Sequence, residues 1–126
     1  MSDPRPISPA LQRLLQTQAE LHARARKVDE EVERASLAEA SAVADFKLAH
    51  ATAYLAAEGA VATKTAVADR DTIALLRGLE IARALRRAAM EASSTLHHEL
   101  DAYAALRMLD AEIDRNRRID INLGIR

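Results

Sequence analysis

The sequence predicts an all-α fold, a long antiparallel helical hairpin of coiled-coil-like character that oligomerises into a helical bundle. Three observations carry this expectation. From Ala10 to Glu58 the chain contains neither proline nor glycine, so nothing in that span breaks a helix. On both sides of Gly59 apolar residues recur at a spacing near 3.5, the signature of helices that share a seam. Hydrophobic residues make up 49% of the 126, yet the aromatics are only Phe46, Tyr54 and Tyr103. Much of the remaining apolar content is alanine, which favours helix and close backbone approach but buries little area per residue.

Residues 1–7 hold two of the three prolines and read as a disordered lead-in. Ser8-Pro9 then gives a start signal: the serine hydroxyl accepts a backbone N–H, and proline at the first helical position gives up an N–H the helix would not have used. A helix from there to Glu58 would run for about 75 Å at 1.5 Å per residue, and such a length needs a partner. Its expected seam is Leu11, Leu14, Leu21, Ala25, Val28, Val32, Ala35, Ala42, Phe46, Ala49, Ala53 and Ala56, with Gln18 and Glu39 as polar exceptions. The stretch Ala35 to Ser41 is the weakest point, because Ser36 with Glu39 three residues on matches a capping box and allows a break.

Gly59 is the expected tip. Residues 60–71 are mediocre helix formers with Asp69, Asp71 and Thr72 as fresh capping residues, so a frayed or restarted helix is expected there. From Thr72 the pattern is helical again, with an expected seam of Leu75, Leu79, Ala82, Leu85, Ala89, Ala92, Leu96, Leu100, Tyr103, Leu106, Leu109 and Ile113. Folding about Gly59 pairs positions whose numbers add to about 120. Leu11 then meets Leu109, Leu14 meets Leu106, Val28 meets Ala92, Val32 meets Ala89, Glu33 reaches Arg87, and Gln18 lies near Tyr103. The hairpin is bounded at residues 8–118.

Leu15, Leu37, Leu48, Leu55, Leu76, Ile81 and Met108 fall off this seam. They imply a second contact face, hence a homo-oligomer, most simply a dimer forming a four-helix bundle. Residues 119–126 change character: Ile119, Ile121, Leu123 and Ile125 alternate with polar residues or glycine, a strand-like period of two. They are expected to form an extended tail that either docks on an unidentified protein partner or stays loose.

The net charge is −1, so the chain as a whole has no field to draw in nucleic acid or an anionic membrane. A local patch is the alternative. Folding about Gly59 gathers Arg5, Arg13, Arg107, Arg115, Arg117, Arg118 and Arg126 at the open end, candidate nucleic-acid contacts through phosphate. Asp110, Glu112, Asp114 and Asp120 interleave with them, no aromatic there could stack on a base, and a self-neutralising helix end is the plainer reading. The absence of cysteine removes disulfides, thiolate metal sites and cysteine nucleophiles. His22 would approach His97 and His98 near Glu20 and Glu99, yet adjacent histidines point about 100° apart on a helix, and no Glu-x-x-His pair occurs. No metal and no cofactor are expected. The serines sit in helical pattern, and three glycines cannot build a phosphate-cradling loop, so no enzymatic activity is expected. The start of the chain lacks the apolar core of a signal peptide, and no apolar run approaches the roughly 18 residues a membrane span requires. The expected location is therefore the cytoplasm, with no membrane partner.

The helix end Tyr54-Leu-Ala-Ala-Glu-Gly59, the charged alanine-rich stretch after it, and Glu99-Leu-Asp-Ala-Tyr-Ala-Ala-Leu-Arg-Met-Leu109 with an arginine-bearing end resemble a group of short all-helical proteins encoded by bacteriophages and prophages. The similarity covers about residues 40–118. Members are often encoded near replication and recombination genes and mostly lack an assigned function; no motif residue has a chemical role to carry over. The resemblance implies a non-catalytic helical interaction or assembly protein in a bacterial host cell. It also admits a nucleic-acid-binding accessory to recombination or replication, and a virion scaffold or tail-assembly component. Secreted helical hairpins with Trp-x-Gly at the turn are excluded, since the turn here is Ala57-Glu58-Gly59 and the chain has no tryptophan.

Overall fold

The computed structural model describes residues 8–122, with side chains through Ile119. Among these residues the fold is all helical: α1 spans Pro9–Ala56, α2 Val61–Asp71 and α3 Ile73–Asn122. α1 and α3 pack antiparallel as the arms of a hairpin. The expected lead-in, residues 1–7, lies outside the described residues.

α1 begins where its capping residues place it. The Ser8 hydroxyl accepts from the Leu11 amide at 3.1 Å, and the Ser8 carbonyl accepts from the Gln12 amide at 3.0 Å, so one residue satisfies two N-terminal donors. The helix is continuous through Ala35; the Ser36 and Glu39 pair opens no break, because Glu39 is turned inward and held there by arginines of α3. α1 ends at the tip, where the Ala57 amide donates to the carbonyls of Ala53 and Tyr54 and Gly59 takes φ +111°. That angle belongs to glycine, because a Cβ there crowds the backbone.

α2 restarts after Ala60, whose carbonyl accepts from the Lys64 amide. Only Thr72 separates it from α3. The Thr72 amide and hydroxyl both donate to the Ala68 carbonyl, at 3.1 and 2.7 Å, and the Thr72 carbonyl accepts from the Leu76 amide. One buried threonine therefore closes one helix and opens the next. The helix restarts within residues 60–71 as expected, but Ala60 offers no side-chain cap, and the Thr72 hydroxyl closes α2 rather than capping the start of α3.

Two compact units divide the chain, residues 1–27 with 94–126, and residues 28–93. In the 28–93 unit the core is Ala68 and Leu79, with Thr72 buried beside them. His50 bonds Asp69 at 2.8 Å, and the Lys64 ammonium lies 5.5 Å over the centre of the Tyr54 ring; both contacts tie α2 to α1. In the other unit the core is Leu21, Ala25, Leu96 and Leu100.

The interior face of α1 holds the expected seam from Leu11 to Ala53, including Gln18 and Glu39, while Ala56 is exposed. That of α3 departs from it at six places: Leu75, Leu85, Ala92, Leu106, Leu109 and Ile113 are exposed, while Leu76, Arg86 and Ser93 turn inward. At Arg86 and Ser93 the reason is polar pairing across the hairpin. The Ser93 hydroxyl donates to Asp29 at 2.7 Å, and Arg86 donates to Glu39 at 3.4 Å with Arg83 at 3.9 Å from the same carboxylate. In the 1–27/94–126 unit, Arg107 donates to Gln18 at 3.2 Å. These pairs join positions whose numbers add to about 122–125, so the arms are displaced by about two to five residues, roughly 3–8 Å, from the expected register. Glu39 takes the arginines in place of Glu33, and Gln18 meets Arg107 one turn beyond Tyr103.

A second correction concerns the end of α3. The helix runs on to Asn122, so the extended tail does not begin at Ile119: the Ile119/Ile121 alternation lies inside helical backbone. Four residues are too few to outweigh the hydrogen bonds a helix of 50 residues propagates into its last turn. Leu123 and Ile125 lie outside the described residues.

Candidate interaction surfaces

Two open grooves lie on the arms. One groove on α1 is lined by Phe46, Lys47, His50, Ala51, Tyr54 and Leu55, and another on α3 by Ala105, Met108, Leu109, Ala111, Glu112 and Arg115. His22, His97 and His98 are exposed, and no three His, Asp or Glu side chains among the described residues cluster to hold a metal ion. No described helix is long and apolar enough to cross a membrane.

The arginines of the expected nucleic-acid patch are only partly brought together. Arg118 pairs with Asp114 at 2.9 Å one turn earlier, and Arg107 with Gln18. Arg13, Arg115 and Arg117 are exposed. Arg115 and Arg117, two residues apart on one helix, project about 200° from each other and do not share a face. Arg5 and Arg126 lie outside the described residues.

What the structure assembles instead are apolar stripes on the outer faces of the arms. On α3 within the 28–93 unit, Ala74, Gly78, Ile81, Leu85, Ala88 and Ala92 are all exposed, Ile81 at 61% and Leu85 at 62%. They follow one another at alternating steps of four and three, the spacing that keeps residues on one face of a packed helix. In the 1–27/94–126 unit, Ala102, Leu106, Leu109 and Ile113 repeat that spacing and are also exposed. On α1, Leu37, Ser41, Ala44, Leu48, Ala51 and Leu55 form a third such series. The expected hairpin seam includes Leu85, Ala92, Leu106, Leu109 and Ile113. α3 carries two interleaved heptad series, and selecting the apolar residue at each step crosses from the inner one to the outer. The signal that separates them was present: Ile81, left off the seam, is in step with Leu85 and Ala92 and out of step with Leu79 and Leu96.

No protein-family model, curated protein or solved structure matches this chain.

Proposed function

We propose that the chain is a non-catalytic helical assembly module that associates with itself, a dimer first, through the outer faces of its hairpin. The observation that carries this reading is the exposed heptad stripe on α3, with Ile81 and Leu85 more than half open to solvent at interface spacing. Packed helices bury such stripes, and at about 25 cal/mol per Å² an exposed one is a standing drive to association. The resemblance of residues 40–118 to phage-encoded helical proteins supports a phage or prophage protein working in the bacterial cytoplasm. A virion scaffold or tail-assembly component is one such role, and an unidentified protein is then a second partner.

Mass measured by light scattering across a concentration series tests the reading. The expected result is twice the chain mass of 13.8 kDa at high concentration, reverting to the monomer mass when Ile81 and Leu85 are both changed to glutamate. A monomer at every concentration would remove it. The exposed Arg13, Arg115 and Arg117 favour one competing reading, the nucleic-acid accessory. Salt-sensitive binding to labelled DNA, lost in an Arg115→Ala, Arg117→Ala, Arg118→Ala variant, would put that reading first.

A further inference from the structure

We infer that the partner of the α3 stripe is the same stripe of a second copy, running antiparallel about a two-fold axis that passes between Ile81 and Leu85. This deepens the assembly reading and rests on it.

Size comes first. Read from Ala74 to Ala92, the stripe is small, small, large, large, small, small. Paired antiparallel so that facing numbers add to 166, it sets Ala74 against the partner's Ala92, Gly78 against the partner's Ala88, and Ile81 against the partner's Leu85. An isologous interface requires a patch complementary to itself under the two-fold, and this order reads the same from either end.

Charge is the second, independent observation. Arg77 and Glu91 flank the stripe on the same side, and under this two-fold each faces the other on the partner chain, giving two opposite-charge pairs. The opposite flank presents Leu75, Ala82 and Ala89. The outer stripe of α1 is the control. Its sizes are also compatible with self-pairing, but the same operation would set Lys47 against Lys47 of the partner chain and Asp45 against Asp45, like charges that oppose association.

Gly78 is the third. A glycine inside a helix costs about 1 kcal/mol relative to alanine, and a Cβ built at Gly78 meets nothing within 4 Å. Packing within the chain does not call for it; close approach of a second helix does.

Disulfide trapping decides the geometry, and the chain has no cysteine of its own to interfere. In the antiparallel arrangement Ala74→Cys and Ala92→Cys face each other across the interface, whereas each lies about 27 Å along the axis from its own copy, far beyond the roughly 4.4–6.8 Å between Cα atoms that a disulfide spans. Mild oxidation of the two variants mixed should give a covalent dimer, and oxidation of either alone should leave monomer. Adding Gly78→Leu to both, a change the open surface of the single chain accommodates, should abolish the crosslink. Like-with-like crosslinks would mean a parallel pairing and overturn the inference. A chain that doubles in mass but forms no mixed crosslink overturns it while leaving self-assembly standing; a monomer throughout removes both.

Discussion

Leu79→Ala is expected to destabilise residues 28–93 by about 2–5 kcal/mol, whereas Leu85→Ala, the same substitution six residues along the same helix, should change the stability of the single chain by less than about 0.5 kcal/mol. Leu79 is 2% exposed and Leu85 62%. Truncating the first forfeits its buried carbons and leaves a void whose walls close only in part. Truncating the second removes surface already wet, and alanine is the better helix former. Urea unfolding of both variants at low micromolar concentration checks this. Equal losses would mean that Leu85 is core and that the outer stripe does not exist. A cost for Leu85→Ala that appears only as concentration rises would instead measure its contribution to the interface between copies.

That pair also marks where the sequence was legible. The helices, the start at Ser8-Pro9, the tip at Gly59 and the restart ending at Thr72 follow from local rules, since caps, glycine and proline act within a few residues of where they stand. The α1 interior was readable because its inner line is almost wholly apolar. The α3 interior was not, because Arg86 and Ser93 turn inward on account of Glu39 and Asp29, residues some 47 and 64 positions away. Apolar periodicity carries no information about a polar residue made tolerable by a distant partner. The same omission displaced the register, for the cross-hairpin pairs that mark it in the structure are polar. The arginine patch is a different case: Arg5 and Arg126 lie outside the described residues, and for the other five closeness along a helix says nothing of sharing a face when neighbours project 100° apart.

Ala68→Leu should cost about 1–3 kcal/mol and free α2 from the rest of its unit, while Ala66→Leu, two residues earlier, should be neutral to within about 0.5 kcal/mol. Ala68 is fully buried, and α2 has no other buried residue. Three added carbons there must displace neighbours at the one buried position of α2. A helix of 11 residues is marginal in water without tertiary packing. Its other side-chain ties, the His50 to Asp69 bond and Lys64 over Tyr54, join side chains that are half-buried or exposed, and such contacts contribute on the order of 1 kcal/mol each. The damage also reaches the bend, because the Ala68 carbonyl accepts both bonds that hold Thr72 between α2 and α3. Amide hydrogen exchange resolves the two effects: residues 61–71 of Ala68→Leu should lose protection well before α1 does, and those of Ala66→Leu should exchange as in the parent chain. Unchanged protection in Ala68→Leu would show that the site has room, and that α2 is held by its surface contacts after all.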